Sequence, residues 1–274
     1  MEIKLIAMDL DGTALQKDHC SFSPRLNAAL EAAFRRGVHI APVTGRQYQL
    51  LPPALKVHPV WENLAVLCNG GQIRNLKSGE VLYRRDIGEK ALWALLALAE
   101  SYELPIEFSV DGTLYLTKHD YQRQFGRPEL AFHRDTILAE NGVVLDSLEP
   151  LCTAQIEKVN LLCIDADVRE SVAEALQNIE VSAVWASSSS MEITHPEATK
   201  AQGLKQLCKM LDLPMENVMA MGDSGNDESM LRQAGFSVAM GNAPDHVKAW
   251  AEAVTESNDR DGAAMAIEKY VLCN

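Results

Sequence analysis

Two aspartates one residue apart, in the stretch Asp9-Leu10-Asp11-Gly12-Thr13, follow an apolar run from Leu5 to Met8. Carboxylates so close repel each other, and one raises the other's pKa unless a cation or hydrogen bonds hold both ionised. A divalent metal with oxygen ligands is the usual remedy. In that setting Asp9 can attack phosphorus as a nucleophile, while Asp11 exchanges a proton with the leaving oxygen and then with water. The same string reads equally well as an Asx-rich turn in which Gly12 serves only backbone geometry. Its partners elsewhere in the chain decide between the two.

A second acidic loop, Gly222-Asp223-Ser224-Gly225-Asn226-Asp227, follows the apolar run Val218 to Met221 and precedes a helix carrying Met230 and Leu231. Asp223, Asn226 and Asp227 are hard oxygen donors suited to Mg2+ or its waters, and the two glycines let backbone come close. Such loops are ordinarily turns and caps; placement between strand and helix, as for Asp9, gives this one weight. Thr44-Gly45, after the run Val38 to Val43, offers a hydroxyl and a close-approaching N–H to a phosphoryl oxygen. Thr44 also suits the N-cap of a helix from Gln47 to Leu51, closed by Pro52-Pro53. Lys200 stands at a helix start, where the macrodipole makes a lysine unfavourable, a mild sign of function against the commoner solvated lysine. His195 gets the ordinary reading.

These residues need elements that deliver them to one place. Leu5 to Met8, Val38 to Val43, Leu64 to Cys68, Val218 to Met221 and Phe236 to Met240 read as short buried strands. Ser23-Pro24 opens the first helix as N-cap and first helical residue; Leu26, Ala29, Leu30, Ala33 and Phe34 form its apolar stripe. A strand, helix, strand crossover is right-handed and leaves the two strands parallel, which puts Thr44 on the same sheet edge as Asp9. Ligands bind at that edge of open α/β sheets. From about Asp86 the rhythm breaks into a long helix (Leu92, Leu95, Leu96, Ala99), a hairpin around Asp111-Gly112, an irregular stretch from Lys118 to Pro150 with Gly126, Pro128 and Gly142, and further strands. The expectation is an α/β core over 1–85 and 190–274 interrupted by an α+β insertion over 86–189, with the core rhythm resuming at Met191 to Thr194. In the insertion, Phe108, Tyr115, Tyr121 and Trp185 suit a core better than a pocket.

The 274 residues carry a formal net charge of −13. That balance argues against nucleic acid or an anionic membrane as partner, since phosphate backbones reward basic surfaces. It also means that a phosphorylated substrate meets repulsion unless the site holds its own positive charge. No run reaches the roughly 18 apolar residues of a membrane span, and the opening residues do not follow the secretory pattern, so a cytoplasmic protein is expected. Cys20, Cys68, Cys152, Cys163, Cys208 and Cys273 are scattered without metal-like spacing and read as reduced, mostly buried residues.

Taken in order, Asp9-Leu10-Asp11-Gly12-Thr13, Thr44, Lys200 and Gly222-Asp223-Ser224-Gly225-Asn226-Asp227 resemble the four motifs of the haloacid dehalogenase-like hydrolases. The long insertion between Thr44 and Lys200 is similar to that of the Cof-type branch. The resemblance covers the whole chain. It implies a Rossmann-like core, a parallel sheet flanked by helices, with an inserted α+β cap, and Mg2+-dependent phosphatase chemistry on a small phosphorylated metabolite such as a sugar phosphate or phosphorylated cofactor. It further implies Asp9 as nucleophile and Asp11 as acid/base. Asp9, Asp11 (through its carbonyl) and Asp223 would hold the metal, with Asp227 behind them. Leu10, Thr44, Gly45, Lys200 and Asn226 would hold the phosphoryl group. Ala14 departs from the leucine common in the family, a change in packing only. Three rivals stay open on sequence: a serine hydrolase using Ser224, a non-catalytic phosphate-binding module, and a phosphomutase returning the phosphoryl group from Asp9. The oligomeric state has no sequence signal.

Overall fold

The computed structural model describes residues 2–57, 60, 61, 64–124, 127–131, 133–138, 142–151 and 154–273; Gly126 and Cys152 lie outside the described residues. Two compact units emerge, one of Met1–Gly45, Leu51–Tyr83 and Thr199–Asn274, the other of Arg46–Leu50 and Arg84–Ala198.

In the first unit β1 (Leu5–Met8) is buried at all four positions, as a parallel-sheet strand covered on both faces must be. The helix Pro24–Arg35 begins as predicted, with the Ser23 hydroxyl accepting from Leu26 N at 3.0 Å. It leads to β2 (His39–Pro42), which pairs parallel with β1, Met8 opposite Pro42. The expected helix from Gln47 to Leu51 does not form: Tyr48–Leu50 make one 3-10 turn, and the helix lies at Pro53–Val57. Proline starts this helix rather than ending one, because its missing N–H is not needed in a first turn. Next come β3 (Leu64–Leu67), β4 (Gln72–Asn75) and β5 (Val81–Arg84), a three-stranded sheet linked to the strand before it by a parallel bridge from Val43 to Val66.

The second unit holds β6 (Ile106–Val110), β7 (Thr113–Thr117), β8 (Gly142–Leu145), β9 (Ile156–Leu161), β10 (Ser182–Trp185) and β11 (Met191–Thr194), ordered β10-β11-β9-β6-β7-β8. One face of this sheet packs on the helices Glu89–Ser101 and Arg169–Leu176 through Leu95, Phe108, Val159, Val172 and Ile193. Phe108, Tyr115 and Trp185 are part of this core, and Tyr121 packs with a smaller cluster around Leu116. Alternate residues carry charge: Glu107 accepts from His133, Gln124 and Asn160, and Lys158 pairs with Glu192 at 2.5 Å. Strand β11 corrects the reading that the core resumes at Met191. It pairs antiparallel with β9 and β10, because Met191 and Ile193 alternate with Glu192 and so suit a sheet apolar on one face only.

The chain returns to the first unit at Thr199, and its remaining strands are β12 (Val218–Gly222), β13 (Phe236–Ala239) and β14 (Ala253–Val254). These complete a parallel sheet in the order β14-β13-β12-β1-β2, flanked by helices, the α/β class the sequence predicts. Strands β1 and β12 are neighbours, Met8 opposite Met221, so the two acidic loops leave the sheet side by side. Cys68 and Cys208 are buried here and Cys163 in the second unit, while Cys20 and Cys273 are exposed. Among the described residues no helix is long and apolar enough to cross a membrane.

Candidate active site

Asp9 is the first residue beyond β1. Its N–H donates to the Met221 carbonyl at 3.0 Å, which anchors the start of one acidic loop to the neighbouring strand, and its side chain is buried. Lys200 opens the helix Lys200–Met210, capped by the Thr199 hydroxyl, and is 1% exposed. A lysine there is tolerated because its ammonium is paired twice: Nζ donates to Asp9 Oδ1 at 2.6 Å and to Asp227 Oδ1 at 2.7 Å. Burial alone would lower the Lys200 pKa, but the Asp227 and Asp9 carboxylates outweigh it and hold the pKa above the ordinary value.

Asp227 shapes its own loop. Its Oδ2 accepts from the N–H groups of Asp223 and Ser224 at 2.9 and 3.0 Å, so its carboxylate ties the loop to Lys200. Only glycine fits at 222, since a Cβ there would stand 2.4 Å from the Asp227 carboxyl carbon. Asp223 lies against the first acidic loop. Thr13 Oγ1 donates to its Oδ1 at 3.1 Å, and Gly12, with φ +74°, presents a bare Cα where a Cβ would be 2.3 Å from Oδ2.

Carboxylate oxygens of Asp9, Asp223 and Asp227 come within 4.8 Å of one another. Burial pushes the Asp9 pKa well above its ordinary value; Lys200 offsets part of this, while Asp227 and Asp223 add to it. Burial, with Asp227 next, pushes Asp223 up to about 6, against the Thr13 hydrogen bond and Lys200. Three crowded carboxylates thus share one ammonium, an arrangement that a hard divalent cation relieves. The donor set fits Mg2+ on that ground. With Asp227 bonded to Lys200 and two backbone N–H groups, Asp9 and Asp223 are the carboxylates suited to face a cation.

The other predicted residues fall nearby with different surroundings. Leu10 is buried in the turn Leu10–Ala14. Asp11, in the same turn, directs its carboxylate to His19, Oδ1 to Nδ1 at 2.8 Å, on the exposed side of the loop. Thr44 is buried; its N–H donates to Val66 O and its carbonyl accepts from Asn69 N, which sets the chain direction leading into Gly45. Asn226 Nδ2 donates to Asn69 Oδ1 at 3.1 Å, and its Oδ1 accepts from Ser224 Oγ at 2.7 Å. Ser224 therefore spends its hydroxyl on its own loop, where it also forms a capping box with Asp227, and not on a histidine as a nucleophilic serine would.

Three contributors escape sequence reasoning. Asn69, with φ 53° in the left-handed region that asparagine tolerates, holds Asn226. Asn242, beyond β13, donates to both Gly12 O and Asp223 Oδ2. His19 faces Asp11. Asn69-Gly70 and Gly241-Asn242 each follow an apolar strand, a signal that marks a turn but names no partner. His19 carries no signal at all.

Comparison with known proteins shows the family. The pattern of the family described as haloacid dehalogenase-like hydrolase matches residues 6–267. A Bacillus subtilis protein named 5-amino-6-(5-phospho-D-ribitylamino)uracil phosphatase YcsE is 31% identical over 281 residues, spanning 99% of this chain and 97% of that one. Phosphatase YwpJ of the same organism is 29% identical over 286 residues, spanning 96% and 98%. A solved haloacid dehalogenase-like hydrolase from B. subtilis superposes with TM-score 0.81 at 27% identity, covering 98% of this chain and all of its own.

Proposed function

Since this chain belongs to the haloacid dehalogenase-like hydrolases, in their Cof-type branch, we propose that it is a Mg2+-dependent phosphatase that cleaves small phosphorylated metabolites through a phosphoryl group carried on Asp9. The observation that carries the reading is the buried Lys200 ammonium joining Asp9 to Asp227 beside Asp223, at the edge where β1 and β12 end.

Asp9, Asp223 and the carbonyl of Asp11 would hold the metal. Mg2+ supplies the positive charge that lets a dianionic phosphate approach a carboxylate nucleophile. Everything else falls to the chain. A carboxylate oxygen of Asp9 forms the new bond to phosphorus as the bond to the substrate oxygen breaks, and Asp11 gives that oxygen its proton. Water then attacks phosphorus, Asp11 takes the water's proton, and the Asp9 carboxylate is released with inorganic phosphate. Lys200 holds the nucleophile and faces the charge that builds on the equatorial oxygens, which the Leu10 and Gly45 N–H groups, the Thr44 hydroxyl and the Asn226 amide also bind. Asp227 fixes Lys200 and the Asp223 loop. The first unit is taken as the catalytic core and the second as the inserted cap.

The test is phosphate release from an aryl phosphate and a panel of phosphorylated metabolites, with and without Mg2+, by the native chain and Asp9→Asn. The panel includes sugar phosphates, pyridoxal phosphate, flavin mononucleotide and the phosphoribitylaminouracil for which one relative is named. Release that needs Mg2+ and falls about a thousandfold or more in D9N supports the reading. An isomerised sugar phosphate in place of free phosphate would make the enzyme a mutase. Full release by D9N would remove Asp9 from the chemistry.

A further inference from the structure

Asn242 lies at the exposed rim of the first unit, just beyond β13. Its amide is oriented without ambiguity. Oδ1 accepts from the backbone N–H of Asn258 at 3.1 Å, so Nδ2 must be the end that faces Gly12 O at 2.9 Å and Asp223 Oδ2 at 3.1 Å. Those two oxygens are both acceptors and would repel if left facing each other; one NH2 group carries the two hydrogens that satisfy both. Asn258 is itself fastened, its Nδ2 donating to Leu15 O at 2.9 Å. The loop after β1, the loop after β12 and the two segments that follow β13 are thus closed into one circuit through a single side chain. Within it each Asp223 oxygen has its own donor, Thr13 for Oδ1 and Asn242 for Oδ2, and the carboxylate is held in one rotamer.

We propose that Asn242 is a positioning residue that fixes the Asp223 carboxylate for Mg2+ and sets the protein's affinity for the ion. This rests on the reading of Asp223 as a metal ligand. Asn242 reaches the metal only through Asp223, and outer partners of metal-binding carboxylates change affinity by about 10- to 100-fold when removed.

The experiment titrates Mg2+ by calorimetry into the full native chain, Asn242→Ala, Asn242→Ser and Asp223→Ala, without substrate. A serine hydroxyl has one hydrogen and cannot serve both acceptors, so N242S keeps a small polar rim residue yet loses the device. Both Asn242 variants are expected to bind Mg2+ about tenfold more weakly and D223A more weakly still. The Mg2+-dependent rise in melting temperature, read on the folded protein, should shrink in the same order. At saturating Mg2+ the Asn242 variants should recover native kcat, with the substrate KM unchanged throughout. Native Mg2+ affinity in N242A and N242S alongside loss in D223A overturns the inference and leaves the metal reading intact. Native affinity in D223A overturns the metal reading itself, and this inference with it.

Discussion

At the level of single residues the site is a charge problem. Asp9, Asp223 and Asp227 crowd together; Asp9 and Asp227 share the Lys200 ammonium, while Asp223 is met by the Thr13 hydroxyl and the Asn242 amide. Lys200→Met should therefore cost more than catalysis. Two buried carboxylates lose their partner, and about 3–5 kcal/mol of stability should go with it, measurable by urea unfolding. The same crowding predicts a pH dependence. Burial and Asp227 raise Asp223 to about 6, and Asp9 is raised as well, so the folded protein holds protons that the unfolded chain releases near pH 4. Stability contributed by such groups is present at low pH and lost as pH climbs through the folded pKa. The metal-free protein should accordingly melt higher at pH 5 than at pH 7. Saturating Mg2+ should flatten or reverse that difference; scans at the two pH values, with chelator and with Mg2+, decide it.

At the level of elements, precision comes from loops tied to one another across neighbouring strands. Asp227 anchors the β12 loop from beneath, and the absence of a side chain at Gly222 makes room for it. Gly222→Ala should push the Asp227 carboxylate away and break its bond to Lys200. The expected result is a loss of about 1–3 kcal/mol in unfolding free energy, with turnover falling well beyond what that loss of folded protein explains. Unfolding curves and initial rates on the same preparation separate the two effects. Sequence periodicity located most of these elements, because buried parallel strands and capped amphipathic helices have local signatures. It failed at Pro53, which starts a helix, and at Met191 to Thr194, whose partners are antiparallel strands. In both cases a residue's role depended on what followed or paired with it.

At the level of the whole molecule, a net charge of −13 opposes an anionic substrate. The buried Lys200 does not answer that field alone, since its charge is matched by Asp9 and Asp227. Added salt screens long-range repulsion, with a Debye length of about 30 Å at 0.01 M and 8 Å at 0.15 M. With Mg2+ saturating, kcat/KM for a phosphorylated substrate should rise across that range, the reverse of what a basic enzyme shows. A fall in initial-rate measurements across the range would mean that local charge dominates the approach.

By itself the sequence determined the family resemblance and the residues on which a chemistry could be read, with three rival readings left open. The acidic loops, Thr44 and Lys200 are residue types suited to phosphoryl transfer, and the placement of the loops and Thr44 after apolar strands and of Lys200 at a helix start follows from short-range preferences that a linear reading captures. The tertiary structure alone decided which oxygen each donor reaches. It gave Asp227 to Lys200 and the loop backbone, Asp11 to His19, Asn226 to Asn69, and Asn242 to Gly12 and Asp223. Asn69 and Asn226 are 157 positions apart and Asn242 and Gly12 are 230 apart. Hydrogen bonds over such separations exist because β1, β3, β12 and β13 end at neighbouring places in the folded unit. That closeness belongs to the packed strands and has no counterpart in the order of the chain.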